Sequence, residues 1–113
     1  MDISDQEFDA ANRRGQLKKA RYPATIAVRY DSDRARLLIA LDSGLELTIS
    51  PQLLQGLEHA TALDLAEVEI SASGFGIHFP RLDADIDVPS LLHGIRGTAA
   101  WMAEHTNKTA GTA

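Results

Sequence analysis

Alternating apolar and polar positions divide the first half of the chain into three predicted strands. Apolar side chains recur at every second position in residues 24–30, which indicates a half-buried strand. Residues 36–41 are apolar almost throughout, as in a central strand, and alternation returns in residues 45–49. Short turns built from Asp, Ser and Gly separate the three segments, so the pattern predicts an antiparallel meander.

The second half of the chain combines helical spacing with one further hairpin. A Ser-Pro pair fits the N-cap and the first position of a helix, which is predicted over residues 51–57. After a connector, residues 67–70 and 76–79 form a predicted hairpin, and a short extended piece follows at 86–88. Pro89 opens a last helical region, in which two glycines are placed to separate two short helices.

Together these elements predict an α+β fold. Its antiparallel sheet has about five strands, from residues 24–49 and 67–80, and helices pack on one face. Hairpin-length connections exclude a doubly wound parallel sheet, which needs long crossovers. The residues predicted to face inward follow the alternation of the strands or the spacing of the helices, and they include Ile26, Val28, Leu38, Leu47, Ile49, Leu53, Leu57, Val68, Ile70, Leu92 and Ile95.

The chain of 113 residues is long enough for one domain with its own core. We predict a basic N-terminal helix or arm over residues 1–22, where Ser4 and Glu7 fit a capping box. A single α+β domain is predicted over residues 23–106. The small polar residues 107–113 are predicted to form a disordered tail.

Composition predicts a cytoplasmic protein and excludes several kinds of site. The absence of cysteine excludes disulfides, thiolate metal sites and a cysteine nucleophile, and it suits a reducing compartment. The acidic N-terminus is unlike a secretory signal. The longest strongly apolar run, residues 37–41, is far shorter than the roughly 20 residues that span a bilayer. We therefore expect no membrane segment.

The net charge of −5 is unevenly distributed along the chain. Residues 1–36 contain eight Lys and Arg against six Asp and Glu, whereas residues 37–113 contain three against ten. The acidic body repels phosphate backbones and favours a partner with a basic surface. Nucleic acid could be held only by the basic cluster near the N-terminus, formed by Arg13, Arg14, Lys18, Lys19 and Arg21.

Three aspartates, Asp83, Asp85 and Asp87, alternate and would share one face of an extended segment. Grouped carboxylates can bind Mg²⁺ or Ca²⁺, but the following residues lack the glycine and the glutamate of a calcium-binding loop. Like charges at alternate positions also discourage pairing between sheet edges, and this structural use is the favoured interpretation. A metal-dependent hydrolase that combines Asp83 and Asp85 with His78 and His93 is a less favoured alternative.

Trp101 has two interpretations: it covers the core, or it anchors a partner or a dimer interface. No serine lies in a nucleophile elbow, and the sequence contains no phosphate-binding loop. We therefore predict no catalytic residue, no metal site and no cofactor. The predicted partner-binding residues are Asp83, Asp85, Asp87 and Trp101.

Over about residues 24–103, the chain resembles the bacterial family catalogued as domain of unknown function 2442. The resemblance rests on ordered motifs, which are PQLLQGL (51–57), LAEVEIS (65–71), GIHFP (76–80), LDAD (82–85), VPSLL (88–92) and GTAAWMA (97–103). It implies a small α+β domain and no enzymatic activity that carries over residue by residue. Some relatives look as if they continue into a helix-turn-helix DNA-binding domain, and others resemble the second member of toxin–antitoxin gene pairs. No helix-turn-helix follows here, so direct transcriptional regulation is not the expected role.

The leading hypothesis is a non-enzymatic protein-binding module, antitoxin-like or inhibitor-like, that acts through its acidic surface on a partner protein. The alternative is a nucleic-acid-binding transcriptional regulator that uses the basic N-terminal arm. We also expect weak homodimerisation through the C-terminal helix or an edge strand, because Gly94 and Gly97 would let two backbones approach closely beside Trp101.

Overall fold

The computed structural model describes the backbone of residues 13–14 and 16–111, and side chains as far as residue 105. Its elements confirm the predicted α+β class. In chain order they are α1 (residues 13–14 and 16–21), β1 (Thr25–Asp31), β2 (Arg36–Leu41), β3 (Glu46–Ile49), a 3₁₀ turn (Pro51–Leu53), α2 (Ala62–Ala66), β4 (Glu69–Ile70), β5 (Gly76–Phe79), β6 (Ala84–Asp87), α3 (Val88–Leu92) and α4 (Ala99–Gly111).

The six strands of the described residues form two antiparallel sheets of three strands, where the sequence predicted a single sheet of about five. The first sheet is the predicted meander, in the order β1-β2-β3, and the second has the order β4-β5-β6. The second hairpin does not extend the first sheet, since the two-residue strand β4 pairs with β5 and not with a strand of the meander. The two sheets meet instead at a corner, where the Thr25 N–H donates to the Gly74 carbonyl over 2.8 Å.

One hydrophobic core joins the two sheets. The central strands β2 and β5 each turn fully buried side chains into it, and β6 adds a third row beside β5. Two segments between the sheets close the core from the side: the residues after the 3₁₀ turn, with Leu54 and Leu57, and α2, with Leu65. Its buried members are Leu37, Ile39, Leu41, Leu54, Leu57, Leu65, Ile77, Phe79, Ala84, Ile86 and Val88.

A β-bulge explains the wrong placement of Ile26. The alternation of β1 predicted that Ile26 faces inward, but the register shifts between Thr25 and Ala27. Thr25 therefore takes the buried position opposite Leu41, and Ile26 is 64 % exposed. From Val28 onward the predicted alternation holds, and that side chain packs against the core.

The prediction for β2 was wrong by one position. Leu38 was expected to face inward, yet Leu37 and Ile39 are fully buried and Leu38 lies on the opposite face, paired with Arg29 and Thr48. Both faces of β2 carry apolar side chains, so alternation in the sequence does not distinguish them.

The predicted helix over residues 51–57 is a single 3₁₀ turn. Leu54 is extended, with φ −112°, and Gly56 adopts φ +93°, so the helical spacing does not apply after residue 53. Leu54 and Leu57 are fully buried, as an apolar stripe would be, but Leu53 is exposed.

Two further residues predicted to face inward are exposed, Ile70 and Ile95. Ile70 ends the two-residue edge strand β4, where little lies against it. Ile95 lies in the break between α3 and α4, so it does not share their helical spacing. The remaining predicted inward residues, Leu47, Ile49, Val68 and Leu92, pack partly buried against the core.

The predicted break of the C-terminal region is confirmed. Gly94, with φ +78°, follows α3, and α4 begins only at Ala99. The backbone of residues 107–111 continues α4, but residues 112 and 113 and side chains from 106 onward are not described, so the disorder of the tail stays a prediction. The capping box predicted at Ser4 and Glu7 lies outside the described residues.

The sequence pattern missed α2, which lies in the predicted connector. Thr61 and Asp64 form a reciprocal capping box: the Asp64 N–H donates to the Thr61 hydroxyl, and the Thr61 N–H donates to the Asp64 carboxylate. Such caps stabilise even a one-turn helix. Within the described part of the chain, no helix is both long enough and apolar enough to cross a membrane.

We predict that Gly74→Ala destabilises the protein by about 3 kcal/mol, whereas Gly94→Ala costs only about 1 kcal/mol. The two glycines have φ of +81° and +78°, where a side chain is strained. Only at Gly74 would the new Cβ meet another atom, 2.6 Å from the Ala24 Cβ at the junction of the sheets. Urea titration of both variants measures the difference, and equal losses would contradict a tight junction.

We predict that Thr25→Val stabilises the protein by about 1 kcal/mol. Among the described residues, the buried Thr25 hydroxyl oxygen has no hydrogen-bond partner, so a methyl group of the same size removes an unsatisfied polar atom from the core. Thr48→Val is the control, because Thr48 lies exposed in β3 and reports only strand propensity. Thermal unfolding should show a gain for Thr25→Val beyond that of the control.

Candidate functional site

The outer face of the second sheet carries a row of three ionisable side chains. Glu69 of β4 lies opposite His78 of β5, and His78 lies opposite Asp85 of β6. The neighbours of His78 in its strand, Ile77 and Phe79, are buried in the core. Since side chains alternate along a strand, the three-residue row points to solvent.

His78 is held by the carboxylate beside it. Its Nδ1 lies 2.8 Å from Asp85 Oδ1, and this hydrogen bond raises the pKa of His78 above its ordinary value. Partial burial opposes the rise, and the charges of Asp85, Glu69 and Asp83 add to it. We call Glu69, His78, Asp83, Asp85 and Asp87 together the acidic face.

The three aspartates do not form the single free row that the sequence predicted. Asp83 occupies the turn before β6 with φ +48°, outside the alternation of the strand. Asp87 is the N-cap of α3, since its Oδ2 accepts from the Ser90 N–H at 3.1 Å and from the Ser90 hydroxyl at 2.6 Å. Asp85 has the most open carboxylate of the ion-paired members, with 79 % of its side chain exposed.

The basic helix α1 packs against one end of the acidic face. Lys18 Nζ lies 3.9 Å from Asp87 Oδ1 and 5.1 Å from the centre of the Phe75 ring. Just beyond α1, the Tyr22 hydroxyl lies 2.7 Å from His93 Nε2. One cation of the predicted basic cluster is therefore engaged within the chain. The other four members, Arg13, Arg14, Lys19 and Arg21, are exposed.

The structure does not assemble the metal site of the hydrolase alternative. His78 binds Asp85 across the sheet, whereas His93 binds Tyr22. Among the described residues, no three His, Cys, Asp or Glu side chains are grouped so that they could hold a metal ion. The hydrolase alternative therefore lacks its central feature.

Trp101 is buried, with 9 % of its surface exposed. Its Nε1 donates to Glu58 Oε2 over 2.7 Å, and its ring stacks on His105 with the centroids 3.9 Å apart. Burial alone would raise the pKa of Glu58, but hydrogen bonds from its own N–H, from Trp101 and from Gly56 lower it overall. The role of Trp101 as a partner contact stays a prediction, and its observed contacts all lie within the chain.

Gly97 permits a close approach between the turn at residue 55 and α4. A Cβ at Gly97 would lie 2.6 Å from Gln55 Oε1 and 2.8 Å from a ring carbon of Trp101. Gln55 is fixed there because its Oε1 accepts from the Thr98 N–H and its N–H donates to the Arg96 carbonyl. Gly97 thus serves packing within one chain, and the expected homodimer stays a prediction.

A cleft of about 460 Å³ runs along β6. One wall is β6 itself with the turn before it, and the other walls come from the turn at residues 54–56 and the segment 90–98. The cleft therefore lies beside the acidic face. Its lining also includes apolar side chains, among them Leu54, Leu91 and Ile95.

Comparison with known proteins identifies the family of this chain. The family described as "Protein of unknown function (DUF2442)" matches residues 25–97. The chain belongs to the DUF2442 family. The match confirms the resemblance found in the sequence. The matched region contains the acidic face and the walls of the cleft as far as Gly97, whereas the whole basic cluster and Trp101 lie outside it.

Two solved structures are similar to this DUF2442 chain. A crystal structure of a protein of unknown function from Rhodospirillum rubrum is 42 % identical, with a TM-score of 0.69, over 72 % of this chain and 98 % of that chain. A solution structure of an uncharacterised protein from Chromobacterium violaceum is 38 % identical, with a TM-score of 0.75, over 93 % of this chain and 96 % of that chain. No match is found among the curated proteins.

The sequence analysis did not identify several residues of this DUF2442 chain that position the acidic face and the start of α4. Gln55 and Glu58 hold the start of α4 from 43 positions away in the chain, and Ser90 fixes the carboxylate of Asp87. Only Ser90 carried a local signal, because a serine three positions after an aspartate fits an N-cap arrangement. Long-range partners leave no such spacing in the sequence.

We predict that Asp85→Asn lowers the pKa of His78 toward the ordinary value near 6.5. Because the folded state raises the pKa, the pair stabilises the protein fully below the ordinary pKa and loses that effect as the pH rises through the raised value. NMR titration of the imidazole measures the pKa. The melting temperatures of wild type and Asp85→Asn should also converge at high pH. Identical titration midpoints in both proteins would contradict the pairing.

Proposed function

We propose that this DUF2442 protein is a non-enzymatic, cytoplasmic protein-binding module, antitoxin-like or inhibitor-like, that holds a basic partner through its acidic face. The composition of the chain, which contains no cysteine, supports the cytoplasmic location. The acidic face supplies the charge, and the adjoining cleft supplies apolar contact area.

The contact between Lys18 and the acidic face supports this proposal most directly. Within the chain itself, an ammonium group lies 3.9 Å from Asp87 and packs over the Phe75 ring. A lysine on a helix therefore fits the Asp87 end of the face without distorting β6. The Asp85 carboxylate, two positions earlier in β6, is exposed enough to meet a second cation.

The network around the acidic face also supports a binding role. Asp87 is fixed by Ser90, and Asp85 is fixed by His78, so both carboxylates are held in place before a partner arrives. Side chains that are already ordered lose less conformational entropy on binding. Complementary charge then raises the association rate and excludes acidic competitors.

Nucleic-acid binding by the basic cluster is the second candidate. Four of its five members are exposed, which favours contact with phosphates. Lys18, however, lies against Asp87, so the cluster sits beside carboxylates that repel a phosphate backbone. For this reason the protein partner is the favoured ligand.

We predict that neutralising Asp83 and Asp85 of the acidic face weakens partner binding. Affinity purification from the native cells should recover a stoichiometric basic protein with the wild type. The Asp83→Asn/Asp85→Asn variant should bind that purified partner at least tenfold more weakly at low salt, because steering by the face is lost. Asp33→Asn/Glu46→Gln is the matched control, since it removes two exposed charges, one from the β1–β2 turn and one from β3, and should bind normally.

Nuclease treatment during capture separates the two candidates. A partner lost after nuclease treatment would favour the basic cluster over the acidic face. Recovery of no stoichiometric protein at low salt would overturn the proposed function. Equal weakening in both double variants would mean that only the net charge matters.

A further inference from the structure

β6 has an open edge along the cleft. Within the described residues, the sheet order β4-β5-β6 gives β6 a neighbouring strand on one side only. The Val88 N–H donates to the Phe75 carbonyl, which makes Val88 and Phe75 a hydrogen-bonded pair. Because such pairs alternate in an antiparallel ladder, the backbone groups of Ala84 and Ile86 also point to β5.

The N–H and C=O of Asp85 therefore point away from β5, toward the cleft. Among the described residues, no turn or loop forms a backbone hydrogen bond with Asp85. A strand edge with free donors and acceptors is a template for another extended segment. The cleft gives such a segment room, since residues of β6 line its length.

The side chains along the cleft indicate the sequence of that segment. The side chain of Asp85 lies on the acidic face, together with that of Asp87 two positions further along β6. On the other side, the cleft presents Leu91 and the 46 % exposed Ile95. Arg96 also lines the cleft, but its guanidinium is engaged within the chain, because it donates a hydrogen bond to the Leu53 carbonyl.

We propose that the open edge of β6 accepts an extended segment of the basic partner as a fourth strand of the second sheet. This inference rests on the proposed function and names the form of its partner. Side chains alternate along the added strand, so basic residues meet Asp85 and Asp87, and apolar residues between them enter the cleft against Ile95. A second copy of β6 is disfavoured there, because its aspartates would oppose these carboxylates.

The test uses the full chain and a fluorescein-labelled peptide of eight alternating lysines and valines. Fluorescence anisotropy at low salt should detect binding. Two N-methylated peptides keep every side chain and charge: one is methylated at the lysine amides and the other at the valine amides. Only one of these two sets of amides faces β6. If the peptide lies antiparallel to β6, that set is the lysine amides, and if it lies parallel, that set is the valine amides. Methylation of that set alone should weaken binding at least tenfold.

Two variants at one position provide the matched test on the protein. Asp85→Asn and Asp85→Pro both remove the negative charge beside His78, but only proline removes the N–H that faces the cleft. The β5–β6 ladder does not use this N–H, so the sheet should remain paired in both variants. Asp85→Pro should bind the unmethylated peptide at least tenfold more weakly than Asp85→Asn. If Asp85→Pro fails to fold, the methylated peptides decide alone.

The outcomes separate this inference from the proposed function. The edge is not used if no peptide binds, or if both methylation patterns weaken binding equally or not at all. The proposed function still stands in those cases if the purified partner depends on Asp83 and Asp85. Conversely, strand-like peptide binding without any captured partner supports the open edge and overturns the regulatory role. A dimer of the free protein that Asp85→Pro dissociates would make a second copy the occupant and overturn the inference.

Discussion

Neither three-stranded sheet can bury its inner face without the other, and the shared core between them is the constraint on which the rest of the structure depends. Three strands with one apolar face reach stability only when that face is covered. The buried rows of β2 and β5 cover each other, and Leu54, Leu57 and Leu65 close the sides. The close approach at Gly74 lets Thr25 bond across the corner, which fixes the relative position of the sheets.

This arrangement also decides where charge collects. With the core on one side, the second sheet must present its other side to solvent, and that side carries the acidic face. Like charges so close together repel one another, but each carboxylate of β6 has a compensating contact: Asp85 with His78, and Asp87 with Ser90 and Lys18. These contacts hold the face together without removing its net negative charge.

The sequence predicted the local elements well wherever one face of an element is apolar and the other polar. The meander, the second hairpin, the break after α3 and the family resemblance are all confirmed. The inward residues were predicted less well. Ile26 was misplaced because a bulge shifts the register, and Leu38 because both faces of β2 are apolar. Of the candidate site, the sequence located the aspartates but not the partners that fix them.

Alternation, turn residues and charge are local properties, so the α+β class, the strand segments and the acidic second half were already present in the order of the amino acids. The division into two sheets, the docking of α1 on Asp87, the burial of Trp101 against Glu58 and the open edge of β6 were decided only on folding. Each of these depends on residues far apart in the chain. Such contacts depend on how the elements pack around the shared core, and no spacing within a single element encodes that packing.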